Sequence, residues 1–172
     1  MLLLELAEVM PWKPVNASHF ITFSALVGII LIAELRSPPG WVPLLDGANL
    51  LFHEAGHPIF GIFGETMGLY GGTLGQLAFP LVVIVEFWRQ RATLSFAVGG
   101  LWLFENFFNI ARYAADARAQ QLPLVGGGEH DWWNILSRWG MLEHDIGIAL
   151  TLTCIGALGI ALTWVWLGWR CL

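Results

Sequence analysis

His53, Glu54 and His57 stand within five residues in the order HExxH, inside an apolar stretch that runs from 47 to 64. On a helix, residues four apart share a face, so both imidazoles can bind one Zn²⁺ while the glutamate beside the first takes a proton from water on the metal. A single buried histidine is usually a satisfied core residue. Two histidines and a carboxylate in one apolar turn differ, because a partner must offset their desolvation. The pattern predicts a zinc site with His53 and His57 as ligands and Glu54 as catalytic base. The alternative is a hydrogen-bonded structural cluster of the same side chains.

A catalytic zinc usually has three protein ligands and one open position. Phe63 occupies the place six residues after His57 where metzincins carry a third histidine, so the remaining ligand must come from elsewhere. The most polar stretch, 116 to 145, is the expected source. His130 is the first choice: Gly126, Gly127 and Gly128 give the chain freedom to fold it back, and Trp132 and Trp133 anchor the far end at the interface. Asp131 is its close rival, as the ligand itself or as the acceptor that orients an imidazole. Glu105 and Asp116 come next, then His144. Without a metal role the loop is an interfacial segment in which His144 and Asp145 cap the last helix.

The elements that must hold these residues are apolar helices. Of 172 residues, 56% are hydrophobic and 12% charged, with ten Trp and a mean hydropathy of +0.65, whereas soluble proteins carry about 25% charged residues. This predicts an all-α integral membrane protein, a single multi-pass domain over 1–172 in a bacterial inner membrane, with lipid around it. About five spans are expected, near 20–35, 47–64, 73–88, 92–113 and 145–169. Arg36, Ser37, Pro38, Pro39 and Gly40 close the first, and Asp46 is placed to cap the second, which Pro58, Gly61 and Gly64 then weaken. Gly68, Gly71, Gly72 and Gly75 read as a connection, one that with the kink at Pro58 could admit water or else serve close helix packing. Counted from Asp46, His53 and His57 lie roughly 10 and 16 Å along the helix, near the middle of a hydrocarbon core about 30 Å thick.

The first fourteen residues contain Glu5 and Glu8 and lack a positive flank before their leucines, so they read as an interfacial helix ended by Pro11 and Pro14 rather than a cleaved leader. Cys154 and Cys171 are placed too far apart to bridge. The net charge of −5 is scattered, which leaves nucleic-acid binding without support. Basic residues divide four and four between the two sides. The tight Arg89–Arg91 turn favours that side as cytoplasmic, with the His130 loop outside.

One more pattern stands out in the fourth segment. Glu105, Asn109, Arg112 and Asp116 recur at i, i+4, i+7 and i+11, drawing a polar stripe down a helix otherwise rich in Leu, Trp and Phe. It reads equally as a ligand or proton path beside the metal and as a row of helix-to-helix hydrogen bonds. Glu86 and Arg89 are spaced to pair at the membrane edge.

HExxH in a membrane helix, a glycine-rich stretch after it and polar residues on a later helix resemble the site-2-protease type of intramembrane zinc metalloprotease. The resemblance covers roughly residues 46 to 80. It implies His53 and His57 as zinc ligands and Glu54 as general base, with an aspartate from a later segment completing the site. That family's later motif joins Asn, Pro and an Asp-Gly pair; here the fourth segment reads Phe104, Glu105, Asn106, Phe107, Phe108, Asn109, without proline or Asp-Gly. The expected function is metal-dependent hydrolysis of a peptide within or beside the bilayer. The alternatives are a zinc hydrolase of lipid amides or esters, or a non-enzymatic metal-binding accessory subunit of a membrane protein complex. Five histidines are too few for the histidine-rich boxes of membrane di-iron enzymes.

Overall fold

The structure, a computed structural model, describes residues 11–36, 41–125 and 128–172. The expected interfacial helix before Pro11, the expected break at 37–40 and the pair Gly126 and Gly127 lie outside these residues. Among those described there is no strand, and the helices are α1 (Ala17–Arg36), α2 (Leu45–Gly61), α3 (Glu65–Arg89), α4 (Thr93–Ala115), the short α5 (Asp131–Arg138) and α6 (Asp145–Arg170). A 3₁₀ turn, Leu142–His144, leads into α6.

Among the described residues, four helices are long and apolar enough to cross a membrane: α1, α3, α4 and the Leu142–Arg170 run that contains α6. The fifth expected span, 47–64, is α2. It has 17 residues, about 25 Å of helix, which is short of a full hydrocarbon core. The distribution of polarity is inverted relative to a soluble protein. Asp46, Asn49, Gln76, Glu105 and Asn106 are buried, while Ile29, Leu81, Val82, Leu150, Leu158 and Leu162 face outward. Lipid is the solvent that makes this arrangement favourable, since it accepts apolar side chains and forces polar ones to find partners inside the bundle.

The glycine-rich connection is not a connection. Gly68, Gly71, Gly72 and Gly75 belong to the first turns of α3, and their spacing puts them on one face. That face lies directly on α2. A Cβ at Gly71 would stand 2.6 Å from the Gly56 carbonyl oxygen, and one at Gly75 would stand 2.6 Å from the Phe52 carbonyl oxygen. Small residues here let two backbones touch, which is how helices associate where no hydrophobic drive exists between them. The α4 helix packs on α3 and α6, and an apolar core of Phe23, Val27, Leu101, Ile160 and Leu167 ties α1, α4 and α6 together.

Asp46 does not cap α2 as expected. The helix starts at Leu45 after Leu44, whose φ of 70° is the left-handed conformation unusual for a leucine. The Asp46 carboxylate folds back to accept the Val42 N–H at 2.6 Å, closing this tight entry, and its other oxygen turns into the bundle.

Candidate metal centre

His53 and His57 project from α2 toward the start of α5, and Asp131, the first residue of α5, meets both. Its Oδ2 lies 2.9 Å from His53 Nε2 and 3.3 Å from His57 Nε2. These separations are close to the edge of a tetrahedron with metal-to-ligand bonds of about 2.0–2.1 Å, which is about 3.3 Å. Glu54, one residue from His53, lines a cavity of 330 Å³ together with the three side chains.

The hydrogen bonds around the imidazoles decide what fills that space. His57 Nδ1 is 2.8 Å from the Gly68 carbonyl oxygen, which can only accept, so Nδ1 carries the proton and Nε2 presents a lone pair. His53 is fixed from further away. The Asp46 carboxylate accepts from Asn109 Nδ2 at 2.6 Å, which leaves Asn109 Oδ1 to accept from Gln76 Nε2, also at 2.6 Å. Gln76 Oε1 then faces His53 Nδ1 at 3.2 Å and requires its proton. Each amide has one donor end and one acceptor end, so a carboxylate that accepts at one terminus orients the whole chain. Both Nε2 atoms therefore offer lone pairs to a carboxylate oxygen that is itself an acceptor. Three atoms that can each act as an acceptor then face one another, an arrangement relieved either by a bound cation or by a proton on an Nε2 that donates to the carboxylate. Two imidazoles and one carboxylate are a set that zinc takes, with a position left for water.

His130, the expected third ligand, is directed elsewhere. It is the N-cap of α5: its Nδ1 accepts the Trp133 N–H at 3.2 Å, its Nε2 lies 3.4 Å from Asp116 Oδ2, and its ring packs on Tyr113 with centroids 4.2 Å apart. Burial holds this imidazole below its ordinary pKa, against the opposing pull of Asp116. Because Nδ1 is spent on the helix end and the ring is 2% exposed, the neighbouring residue reaches the histidine pair instead. Of the weaker candidates, Glu105 accepts from Asn49, and Asp116 accepts the Gln121 and Leu122 N–H groups at 2.9 Å. His144 stands at the entry to α6 without a side-chain cap bond.

The polar stripe of α4 resolves into links between helices. Asn109 and Arg112 reach Asp46 on α2, Glu105 reaches Asn49, and Asp116 ties down the loop that follows. Glu86 pairs with Arg89 as expected, at 3.4 Å, and both cysteines are free. Three contributors were not foreseen. Gln76 and Asp46 control His53, and Tyr113, whose hydroxyl oxygen accepts the Asp131 N–H at 3.1 Å, helps hold the aspartate in place. Gln76 carried one available signal, a lone amide in an apolar span, which in a membrane helix demands a partner.

Comparison of the chain with family models, with curated proteins and with solved structures finds no match.

Proposed function

We propose that this protein is a membrane-embedded zinc-dependent hydrolase acting on amide bonds of a peptide within or beside the bilayer, in the manner of the site-2-protease type. The observation that carries the reading is the convergence of two Nε2 lone pairs on Asp131 Oδ2, with Glu54 in the wall of the same cavity. His53, His57 and Asp131 would hold the metal. Zinc, when bound, supplies the Lewis acidity that polarises a carbonyl and acidifies water. Glu54 accepts a proton from the attacking water and returns it to the departing amine. The C–N bond breaks, the water oxygen goes to the acyl carbon as a carboxylate, and the nitrogen leaves protonated. Tyr113 also lines the cavity, and since its oxygen accepts from the Asp131 N–H its hydroxyl proton is available to stabilise negative charge on a carbonyl oxygen bound beside it. In this reading α2 is part of the membrane-embedded bundle although it is too short to cross alone.

The test is elemental analysis of the purified protein together with hydrolysis of a quenched fluorescent peptide in detergent. About one zinc per chain and turnover are expected for the native protein, and for Glu54→Gln retained zinc with activity lowered by a factor on the order of 100 or more. Undiminished hydrolysis by that variant overturns the role of Glu54. Zinc bound without any hydrolysis by the native chain favours an accessory metal-binding subunit.

A further inference from the structure

A second cavity, of 460 Å³, adjoins the first at His53 and Glu54. His53, Glu54, Tyr113, Leu124 and Val125 belong to the walls of both. The two differ in chemistry. The larger is walled by Trp41, Leu50, Leu122 and Pro123, and Trp41 and Leu50 are 39% and 36% exposed, so it reaches the apolar outer face of the bundle. Its polar members, Gln76, Asn109 and Arg112, are engaged with one another or with Asp46. The smaller is walled by Glu65, Glu129, Asn134 and Arg138 beyond the metal ligands and Glu54. Glu65, Glu129 and Arg138 are exposed, so this side reaches water.

From this division we infer that the substrate is a polypeptide segment in which an apolar stretch gives way to a polar, basic one, held with its apolar part in the larger cavity and its basic part in the smaller. The bond to be cut then lies at the shared wall, beside Glu54. The inference rests on the hydrolase reading and adds the class and direction of substrate. Apolar side chains entering from the lipid-facing side lose nothing by leaving the bilayer for a cavity of Trp and Leu, whereas a polar segment there would forfeit its hydration. On the polar side, two carboxylates against one guanidinium favour Lys or Arg and disfavour the phosphodiester of a phospholipid headgroup. That balance selects a polypeptide over a phospholipid.

The test uses zinc-loaded Glu54→Gln protein in detergent and a synthetic peptide with a Leu-Val run followed by a Ser-Lys run, carrying a photoreactive phenylalanine at either end. The apolar-end probe should crosslink near Trp41, Leu50 or Leu122, and the basic-end probe near Glu65, Asn134 or Arg138. Leu50→Trp, which fills the larger cavity, should weaken peptide binding about tenfold, and Glu129→Lys should weaken the basic-end contact while leaving zinc content unchanged. Identical crosslink maps for both ends overturn the division of the site. So does equal binding when the Ser-Lys run is replaced by Ser-Glu. Competition by phosphatidylglycerol micelles as strong as by unlabelled peptide overturns the choice of polypeptide. Because crosslinking needs no turnover, the expected maps without hydrolysis by the native chain would overturn the hydrolase reading alone; hydrolysis with undivided maps would overturn this one alone.

Discussion

Among the described residues, two clusters of acidic or imidazole side chains bring three potential ligand atoms within 4.8 Å of one another, and their surroundings separate them. In the first, Glu34, Asp46 and Glu105, the chain supplies partners for Asp46 and for one oxygen of Glu105, while Glu34 Oε1 and Glu105 Oε1 are buried without a hydrogen bond. Arg112 Nη2 lies 3.5 Å from Asp46, which also accepts from Asn109 and Val42, and Asn49 donates to Glu105. In the second, His53, His57 and Asp131, every nearby donor is turned away: both Nδ1 protons go to outside acceptors, and among the described residues Asp131 pairs with no Lys or Arg. Residue type makes both look like metal sites. Counting donors makes the first a network partly partnered by the chain's own Arg112 and Asn49, and the second, in the proposed reading, the metal site. The first also serves the second, since Asp46 sets the direction of the amide chain that ends at His53.

The comparison is broken most directly at the ligands. His53→Ala, His57→Ala or Asp131→Ala should each lower zinc affinity by a factor on the order of 100 or more, read by competition with a chromogenic chelator. Asp46→Ala should do less to zinc and more to thermal stability, because the Val42 N–H, Asn109 and Arg112 all lose an acceptor inside the bundle. If Asp46→Ala removed zinc as fully as His57→Ala while the fold survived, the division of labour between the clusters would be wrong.

Close behind is Gly72→Ala. A Cβ there would stand 2.5 Å from His53 Nε2, the proposed ligand atom, and 2.6 Å from Cε1. The imidazole must move aside, so zinc binding should fall nearly as far as in His53→Ala. Gly47→Ala, on α2 with open space around it, is the control and should leave zinc unchanged. Equal zinc content in the two variants would show that His53 has another way to reach the metal.

Gln76→Leu tests the amide chain. It removes the acceptor for the His53 Nδ1 proton while keeping side-chain volume, and the ring is then free to adopt either tautomer. A loss of about 10- to 100-fold in zinc affinity is expected, the range typical of residues that orient a metal-bound histidine. The readout that separates orientation from general loosening is the ¹⁵N shift of the His53 ring in the zinc-free protein. It should report Nδ1–H in the native chain and a mixture in the variant.

Much of this was legible in the sequence, for reasons that also explain what was not. The membrane-crossing helices came from hydropathy, which integrates over many residues, and the histidine pair came from a spacing fixed by the helix repeat. Of the two readings of the glycine run, the connection failed because Gly is read as a helix breaker, and the other, close helix packing, is the one the structure bears out. Gly68, Gly71, Gly72 and Gly75 are instead what allows α3 to lie against α2, a tertiary fact with no local trace beyond their spacing. Asp46 misled in the same way, since a carboxylate near a helix start is read as a cap and nothing local reveals a partner 63 residues away. Between the adjacent His130 and Asp131, sequence offered chemistry but no direction. Which of the two faced α2 was set by where α5 begins.

That last choice gives the smallest predicted effect. His130 holds the first turn of α5 by accepting the Trp133 N–H, and it sits between Tyr113 and Asp116, so it fixes the backbone from which Asp131 extends. Losing a side-chain cap costs on the order of 1 kcal/mol. Only the part of that loss felt as misplacement of Asp131 can reach the metal. His130→Ala should therefore lower zinc affinity by about tenfold or less and lower the melting temperature modestly. His130→Asn, which can still cap a helix through its side-chain oxygen, should restore most of both. A ligand cannot be rescued in this way, because an amide oxygen is a poor substitute for an imidazole nitrogen on zinc. A loss in His130→Asn as deep as in His57→Ala would return His130 to the coordination sphere and displace Asp131 to the role of orienting it.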